Sequence, residues 1–377
     1  MHILIAPNAF KHSLDATDVA LAIQKGLMAS KLVCTTQIFP VGDGGNGTGA
    51  LIIEKYKGRS VSLQVQDPLG RPVQASYGLI DNGRTAVIEM ADSSGLHLLK
   101  ASELDPLHAT SFGVGQLISD ALDKQVQKII IGLGGSATVD GGSGLLAALG
   151  VRFLDHQGHH IMNLPIGLCT LHTIDTSGLD KRLKKCELIV LCDVNNPLLG
   201  SNGAAHVFGP QKGANPAMVQ LLDEMLLRYA QVIQKTQGVD IISVPSGGVA
   251  GGASAGLYGL LGAKLVNGID YFLTFTAFDQ SLAKSHLLVT AEGSIDEQTL
   301  QGKGPFGVAK RAKKKGIPVI ALAGSIPRVI EPPMDTYFDG LFAIGNAPSS
   351  LSEAIPLTAQ HLIRTAWQLG NLLALHF

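Results

Sequence analysis

At 377 residues, with 46% apolar residues, 16% charged residues and a formal net charge of −1, the chain suits two domains with sizeable cores. The near-neutral balance carries no basic block or tail, which argues against nucleic acid or an anionic membrane as the main partner. Four cysteines (Cys34, Cys169, Cys186, Cys192) lack CxxC spacing, so reduced thiols in a cytoplasmic protein are expected, either as a monomer or as a homo-oligomer.

In chain order, HILIAPNAF is a short apolar run with no charged leader before it, and is expected to be a buried first strand. HSLDATDVALAIQKGLMAS places apolar residues at helical spacing behind a Ser or Asp cap. TTQIFPVGDGG reads as a second strand entering a glycine-rich loop, followed by a helix over GTGALIIEKY. From about Val61 the texture changes to short alternating runs broken by PLG and DNG, the pattern of a β-meander. A helix near SFGVGQLISDALDKQ leads to the strand KIIIG, and ELIVLCDVNNPLLG is another strand with a polar crest. PAMVQLLDEMLLRYAQVIQKTQG is strongly amphipathic. The uncharged, glycine-rich stretch 241–263 is too weakly hydrophobic for a membrane span and is expected to be a buried, closely packed segment. The opening texture then returns: HLLVTAEGS, a helix GVAKRAKKKG whose RAKKKG end (311–316) is a solvated terminus, IPVIALAGS, DGLFAIGN and a C-terminal helix.

These βα units predict an α/β protein with a doubly wound parallel-sheet domain and a second, mixed α/β domain inserted into it. The first domain, Rossmann-like or flavodoxin-like, would comprise residues 1–62 and 270–377, and the insertion residues 63–269. Ligands are expected at the carboxyl ends of the strands, in a cleft between the domains.

Five polar loops directly follow apolar runs: 6–11 (APNAFK), 40–48 (PVGDGGNGT), 132–142 (GLGGSATVDGG), 191–197 (LCDVNNP) and 290–296 (TAEGSID). Each alone can be an ordinary turn. In the third, small residues let the backbone approach a ligand, and Ser136 and Thr138 offer hydroxyl donors of the kind phosphate oxygens need. Gly132-x-Gly134-x-x-Ala137, with Asp155 downstream, also meets the dinucleotide spacing, but the glycines of VDGGSG fall where that helix should run. GLGGSA resembles the phosphate loop of galactokinase- and homoserine-kinase-like enzymes as well, though those place it differently. There is no Walker string and no HExxH pair among the twelve histidines. Asp43, Asp140, Asp193 and Asp296 each occupy a Gly- or Asn-rich loop, where an isolated aspartate reads as a turn or cap residue. Together with Lys11, Lys212 and Lys303 beside such loops, they match what phosphoryl transfer requires: carboxylates for Mg²⁺ and the hydroxyl proton, and cations for the migrating group.

Taken together, APNAFKHSL, PVGDGGNGT, GLGGSATVDGGSG, CDVNNPLLGSNGAAHVFGPQKGA, GGVAGG and AEGSIDEQTLQGKGPFGVA resemble the type-1 glycerate kinase family along essentially the whole chain. The resemblance implies transfer of the ATP γ-phosphoryl group to D-glycerate, giving 2-phosphoglycerate, with Mg²⁺, in two α/β domains around a cleft. It assigns the phosphate cradle to Gly134, Gly135, Ser136 and Thr138, with Asp140, Lys212 and Lys303 also on the nucleotide. Asp193 would be catalytic base or metal carboxylate and Asp296 the second, with Lys11 offsetting charge and Asp43 orienting substrate hydroxyls. Four motifs depart from the family pattern: Asn8 and Ala9 stand for Asp and Ser, Asn46 for Glu, Val139 for Asn, and Ala291 and Ser294 for Gly and Arg. Lost charge there leaves open a non-catalytic ligand-binding or regulatory homologue, or a kinase for another small hydroxy acid. A dinucleotide oxidoreductase rests only on the GxGxxA spacing.

Overall fold

The computed structural model describes residues 1–296, 299 and 302–375. In chain order its strands are β1 (His2–Ile5), β2 (Thr35–Ile38), β3 (Arg59–Gln66), β4 (Pro72–Ile80), β5 (Thr85–Glu89), β6 (Lys128–Gly132), β7 (Arg152–Leu154), β8 (Thr173–Asp175), β9 (Glu187–Cys192), β10 (Lys264–Asn267), β11 (Leu287–Ser294), β12 (Val319–Ser325) and β13 (Gly340–Ala343). Two units follow: Met1–Asp43 with Ile269–Phe377, and Gly44–Gly268.

The first unit holds a five-stranded sheet, order β13-β12-β11-β1-β2, in which every pairing is parallel. Its central runs are apolar on both faces, as a sheet covered on both sides requires. Ile3, Ile5, Val289, Ala291 and Leu322 share one core with Val19, Ile23 and Leu27 of the helix Ala16–Met28 and with Leu362, Ala366 and Leu369 of Thr358–Leu373. Asp15 caps the former helix by accepting from the Asp18 amide at 2.8 Å. The helix Gly304–Lys313 contacts β11 and β12. Beyond β1 the chain stays pinned to β11: Asn8 N donates to the Ala291 carbonyl at 2.8 Å, and Val41 N donates to Pro7 O at 2.9 Å. Those two bonds carry the loops 6–11 and 40–43 to the end of β11.

The second unit holds a six-stranded mixed sheet, order β10-β9-β6-β5-β4-β3. The expected meander is the antiparallel run β3–β4–β5, after which β5, β6, β9 and β10 pair in parallel. Strands β7 and β8, which the sequence reading did not anticipate, form a separate antiparallel pair. The helix Pro216–Gln237 is capped by Asn215 and buries Val219, Leu222, Met225, Leu226, Tyr229 and Ile233, one stripe at helical spacing.

The boundary expected at residue 62 lies instead at Asp43/Gly44. The helix Thr48–Lys55 belongs to the second unit because Ile53 lies against Gly78 of β4, and because Glu89 of β5 accepts the Gly47 and Gly49 amides at 3.2 and 2.7 Å. The uncharged stretch 241–263 is a turn-rich loop ending in the short helix Ala253–Leu261, and no described helix is long and apolar enough to cross a membrane. All four cysteines are free thiols.

Candidate functional site

In the second unit, β6 ends on the glycine loop 132–142, which is held from three sides. Leu96 N donates to the Gly135 carbonyl at 2.9 Å and Ala137 N to the Ser94 carbonyl at 2.8 Å, tying the loop to the segment after β5. Asn46 covers it from the loop 44–47: a Cβ on Gly134 would lie 2.5 Å from the Asn46 amide nitrogen, so only glycine fits. From below, Gly141 N donates to Gly251 O at 2.9 Å, and a Cβ on Gly256 would lie 2.0 Å from the Gly141 carbonyl. The GGVAGG segment is therefore the close-packed bed of the loop, which explains its lack of side-chain bulk.

Lys212, on the turn Pro210–Lys212, is 2% exposed and donates from Nζ to Ser136 Oγ at 2.9 Å and to the Thr138 carbonyl at 2.7 Å. Burial pushes its ammonium down to about 7, against the opposing pull of Asp140. Asp140 is fully buried, and its carboxylate accepts from Ser111 N and Oγ (2.9 and 2.6 Å), Gly142 N (2.9 Å) and Gly144 N (3.2 Å). Those bonds fasten the loop to two helices, Phe112–Asp123 and Ser143–Ala148.

This geometry corrects part of the expected cradle. Asp140, saturated by internal donors, anchors the loop instead of facing a ligand. Thr138 is also fully buried, its hydroxyl without a partner, and Ser136 is taken by Lys212. Gly134 and Gly135 are the accessible positions of the loop. Val139 has no exposure and belongs to the apolar core, so an apolar residue there is a packing choice and not a gap in a binding surface.

Asp193 follows β9 directly, its amide 3.4 Å from where a Cβ on Gly44 would stand, which brings the loops after β9 and around 44 together within this unit. Next to it, Asn195 Oδ1 accepts from Ser246 Oγ at 3.3 Å.

In the first unit, the end of β11 gathers the other candidates. Glu292, 7% exposed, is acted on by the charges of Asp43, Lys303, Lys11 and Asp296. Burial, reinforced by Asp43 and Asp296, pushes its carboxyl up to about 8 although both lysines pull it down, and its Oε2 has no hydrogen-bond partner. Asn8 Nδ2 donates to Asp43 Oδ2 at 2.8 Å, while Ala9 N donates to Asn8 Oδ1 at 2.8 Å and fixes which way the amide points. Asn8 thus orients Asp43 without a proton of its own to lose. Gly304, first residue of its helix, lies close under Asn8: a Cβ there would be 3.0 Å from Nδ2. Asp296 accepts from Thr299 N at 3.3 Å and from Ser294 Oγ at 3.4 Å, so the serine that departs from the family pattern still touches this carboxylate. Glu297, Gln298, Leu300 and Gln301 of the same motif lie outside the described residues.

The charges of Lys11, Asp43, Asp296 and Lys303 all act on one buried carboxyl in the first unit, and Gly134, Gly135, Ser136, Thr138, Asp140 and Lys212 form one loop assembly in the second. Glu292 sits in the string AEGSIDEQTLQGKGPFGVA that resembles the family, but sequence reasoning gave it no role. Its signal was a lone carboxylate at the end of the apolar run LLVTA, the position where strand ends present functional groups. Glu89, which receives the start of the helix Thr48–Lys55, occupies the same kind of position at the end of β5 and was missed entirely.

Comparison with known proteins agrees with both sheets. The sequence profile of the glycerate kinase family matches residues 3–374. The chain is 43% identical to the glycerate 2-kinase of Escherichia coli K12 over 375 residues, covering 100% of this chain and 98% of that one. It is 44% identical to the glycerate kinase of Halalkalibacterium halodurans over 353 residues, 94% of this chain and 93% of the relative. A crystal structure of a proposed glycerate kinase 2 from Salmonella typhimurium LT2 superposes with a TM-score of 0.85 at 44% identity, covering 100% of this chain and 99% of that chain. Matched end to end in both sequence and fold, the chain belongs to the glycerate kinase family.

Proposed function

We propose that the protein transfers the γ-phosphoryl group of ATP to the 2-hydroxyl of D-glycerate, giving 2-phosphoglycerate, with Mg²⁺ as its metal. The observation that carries the reading beyond family membership is the Asn8–Asp43 hydrogen bond of 2.8 Å beside the end of β11, where the charges of Lys11, Lys303, Asp43 and Asp296 all act on the buried Glu292. Lys11 and Lys303 supply positive charge for the glycerate carboxylate and the migrating phosphoryl group. Asp43, held by Asn8, accepts from substrate hydroxyls and fixes the acceptor oxygen. The accessible backbone at Gly134 and Gly135 takes a nucleotide phosphate, while Ser136, Thr138, Asp140 and Lys212 keep that backbone in place from behind.

Mg²⁺ prefers oxygen donors and usually takes one or two carboxylates, with water and substrate phosphates filling its shell. No group of three or more His, Cys, Asp or Glu among the described residues forms a ready-made cage. Asp193 and Asp296 are each candidate oxygen donors to Mg²⁺, and the metal would neutralise charge on the nucleotide phosphates.

The direct test incubates the purified protein with ATP, Mg²⁺ and D-glycerate and follows product with enolase alone, then with phosphoglycerate mutase added. Signal with enolase alone is expected. A signal that needs the mutase would mean 3-phosphoglycerate, and ATP binding without product would favour a regulatory protein. Asp193→Asn and Asp296→Asn should each lower kcat by about 100-fold or more, and near-normal turnover in both folded variants would overturn their assignment.

A further inference from the structure

We propose that Asn46 is a nucleotide-binding residue of this enzyme, its side-chain amide donating to a phosphate oxygen of ATP held over Gly134 and Gly135. The inference rests on the kinase reading above and deepens it by naming a side chain that meets the phosphate.

Asn46 stands at the tip of a turn that is fastened on both sides. Before it, Gly44 N donates to Thr48 Oγ1 at 3.0 Å, and Thr48 N donates to the Gly45 carbonyl at 3.3 Å. After it, the amides of Gly47 and Gly49 donate to Glu89. The start of the helix Thr48–Lys55 is therefore already filled by a carboxylate and offers no anion site of its own. What the fastened turn presents is the Asn46 side chain.

That side chain lies on the loop after β6. A Cβ on Gly134 would stand 2.5 Å from Asn46 N, and one on Gly135 would stand 3.1, 3.2 and 3.3 Å from Asn46 Oδ1, Cγ and Nδ2. Three nearly equal distances place the amide broadside to Gly135, so its N–H bonds, which lie in the amide plane, stay clear of the glycine. Asn46 and Gly135 are both exposed, and among the described residues no hydrogen bond engages the Asn46 side chain. The polar side chains of the loop itself are turned inward: Ser136 accepts from Lys212, Thr138 is fully buried, and Asp140 is filled by four donors. Asn46 thus supplies a side-chain donor where the loop is open. Charge fits as well, because the family pattern has glutamate at this position. A carboxylate would repel an anion lying on Gly135, whereas the neutral amide adds a donor to the backbone N–H groups.

The test compares wild type, Asn46→Ala and Asn46→Asp. ATP affinity is measured by calorimetry in excess Mg²⁺ without D-glycerate, followed by kcat and both KM values in the D-glycerate assay. N46A should weaken ATP binding and raise KM for ATP about tenfold, the loss of one hydrogen bond to a charged group. Its kcat should stay within about threefold, and its KM for D-glycerate within about twofold, of wild type. N46D keeps the shape of asparagine but puts a like charge beside the phosphate, so its ATP affinity should fall at least as far, and further at low than at high ionic strength. A folded N46A within about twofold of wild type in both ATP affinity and KM for ATP would overturn the proposal, as would a rise confined to KM for D-glycerate. Should N46A fail to fold, the isosteric N46D decides by the same criterion. Absence of product from the wild type would refute the kinase reading, while the calorimetry, which needs no turnover, would still decide the contact. An active wild type with an indifferent N46A refutes only the role of Asn46, and a wild type that binds no ATP would overturn both.

Discussion

Lys212→Met tests the account of the glycine loop most sharply, because the buried ammonium makes a signed, pH-dependent contribution. Its proton affinity falls from 10.5 in water to about 7 in the fold, which corresponds to about 5 kcal/mol of disfavour for the charged form. Between those two values the unfolded chain binds a proton that the folded chain does not, so wild-type stability should climb by about 1.4 kcal/mol per pH unit. Below 7 both states carry the proton and the slope vanishes. Methionine fills a similar volume without titrating, but leaves Ser136 Oγ and the Thr138 carbonyl without their donor, at about 1–3 kcal/mol each. The stability difference between wild type and K212M should therefore move in favour of wild type by about 3 kcal/mol from pH 7.5 to pH 9.5. Urea unfolding followed by far-UV circular dichroism is the suitable assay, since the single tryptophan, Trp367, lies in the other unit and would report on the wrong transition. A difference that stays flat across that window would show that Lys212 keeps its proton throughout, and would refute the reading of it as a desolvated clamp.

Two other substitutions probe the same assembly. In Gly256→Ala the new methyl meets the Gly141 carbonyl, so a loss of about 2–3 kcal/mol and a Tm lower by roughly 5–10 °C are expected in a thermal melt, with activity reduced because the loop must shift. Val139→Asn buries an amide with no partner in the apolar core; it should cost about 1–3 kcal/mol by urea titration and leave kcat no higher, whereas a gain in kcat would place Val139 at the ligand after all.

Much of the architecture was legible in local pattern. The apolar runs at 2–5 and 287–291, each followed by a helical period, identified parallel strands because only strands covered on both faces are apolar at every position. Alternation broken by PLG marked β3 and the start of β4, where one face is less buried than the other, whereas β5 is buried along nearly its whole length. The three-residue strands β7 and β8 were too short to show any period. The boundary at residue 62 was misplaced because a helix read from its own residues says nothing about which sheet it covers; Gly78 and Glu89 decide that for Thr48–Lys55.

The sequence by itself determined where the strands end, and therefore which loops carry polar residues; that information is local, written in periods of two and 3.6 residues. It could not tell a ligand-facing residue from an internal fastening within those loops. Asp140 and Asp43 look alike as letters beside glycine, yet one is saturated by Ser111 and the following helix amides while the other is held by Asn8 at a strand end. Lys212 looks like a surface lysine until Ser136, 76 residues away, accepts a hydrogen bond from its Nζ inside the fold. Only the tertiary structure decides such cases, because the fate of a polar side chain depends on whether distant backbone donors and acceptors complete its hydrogen bonds once water is excluded.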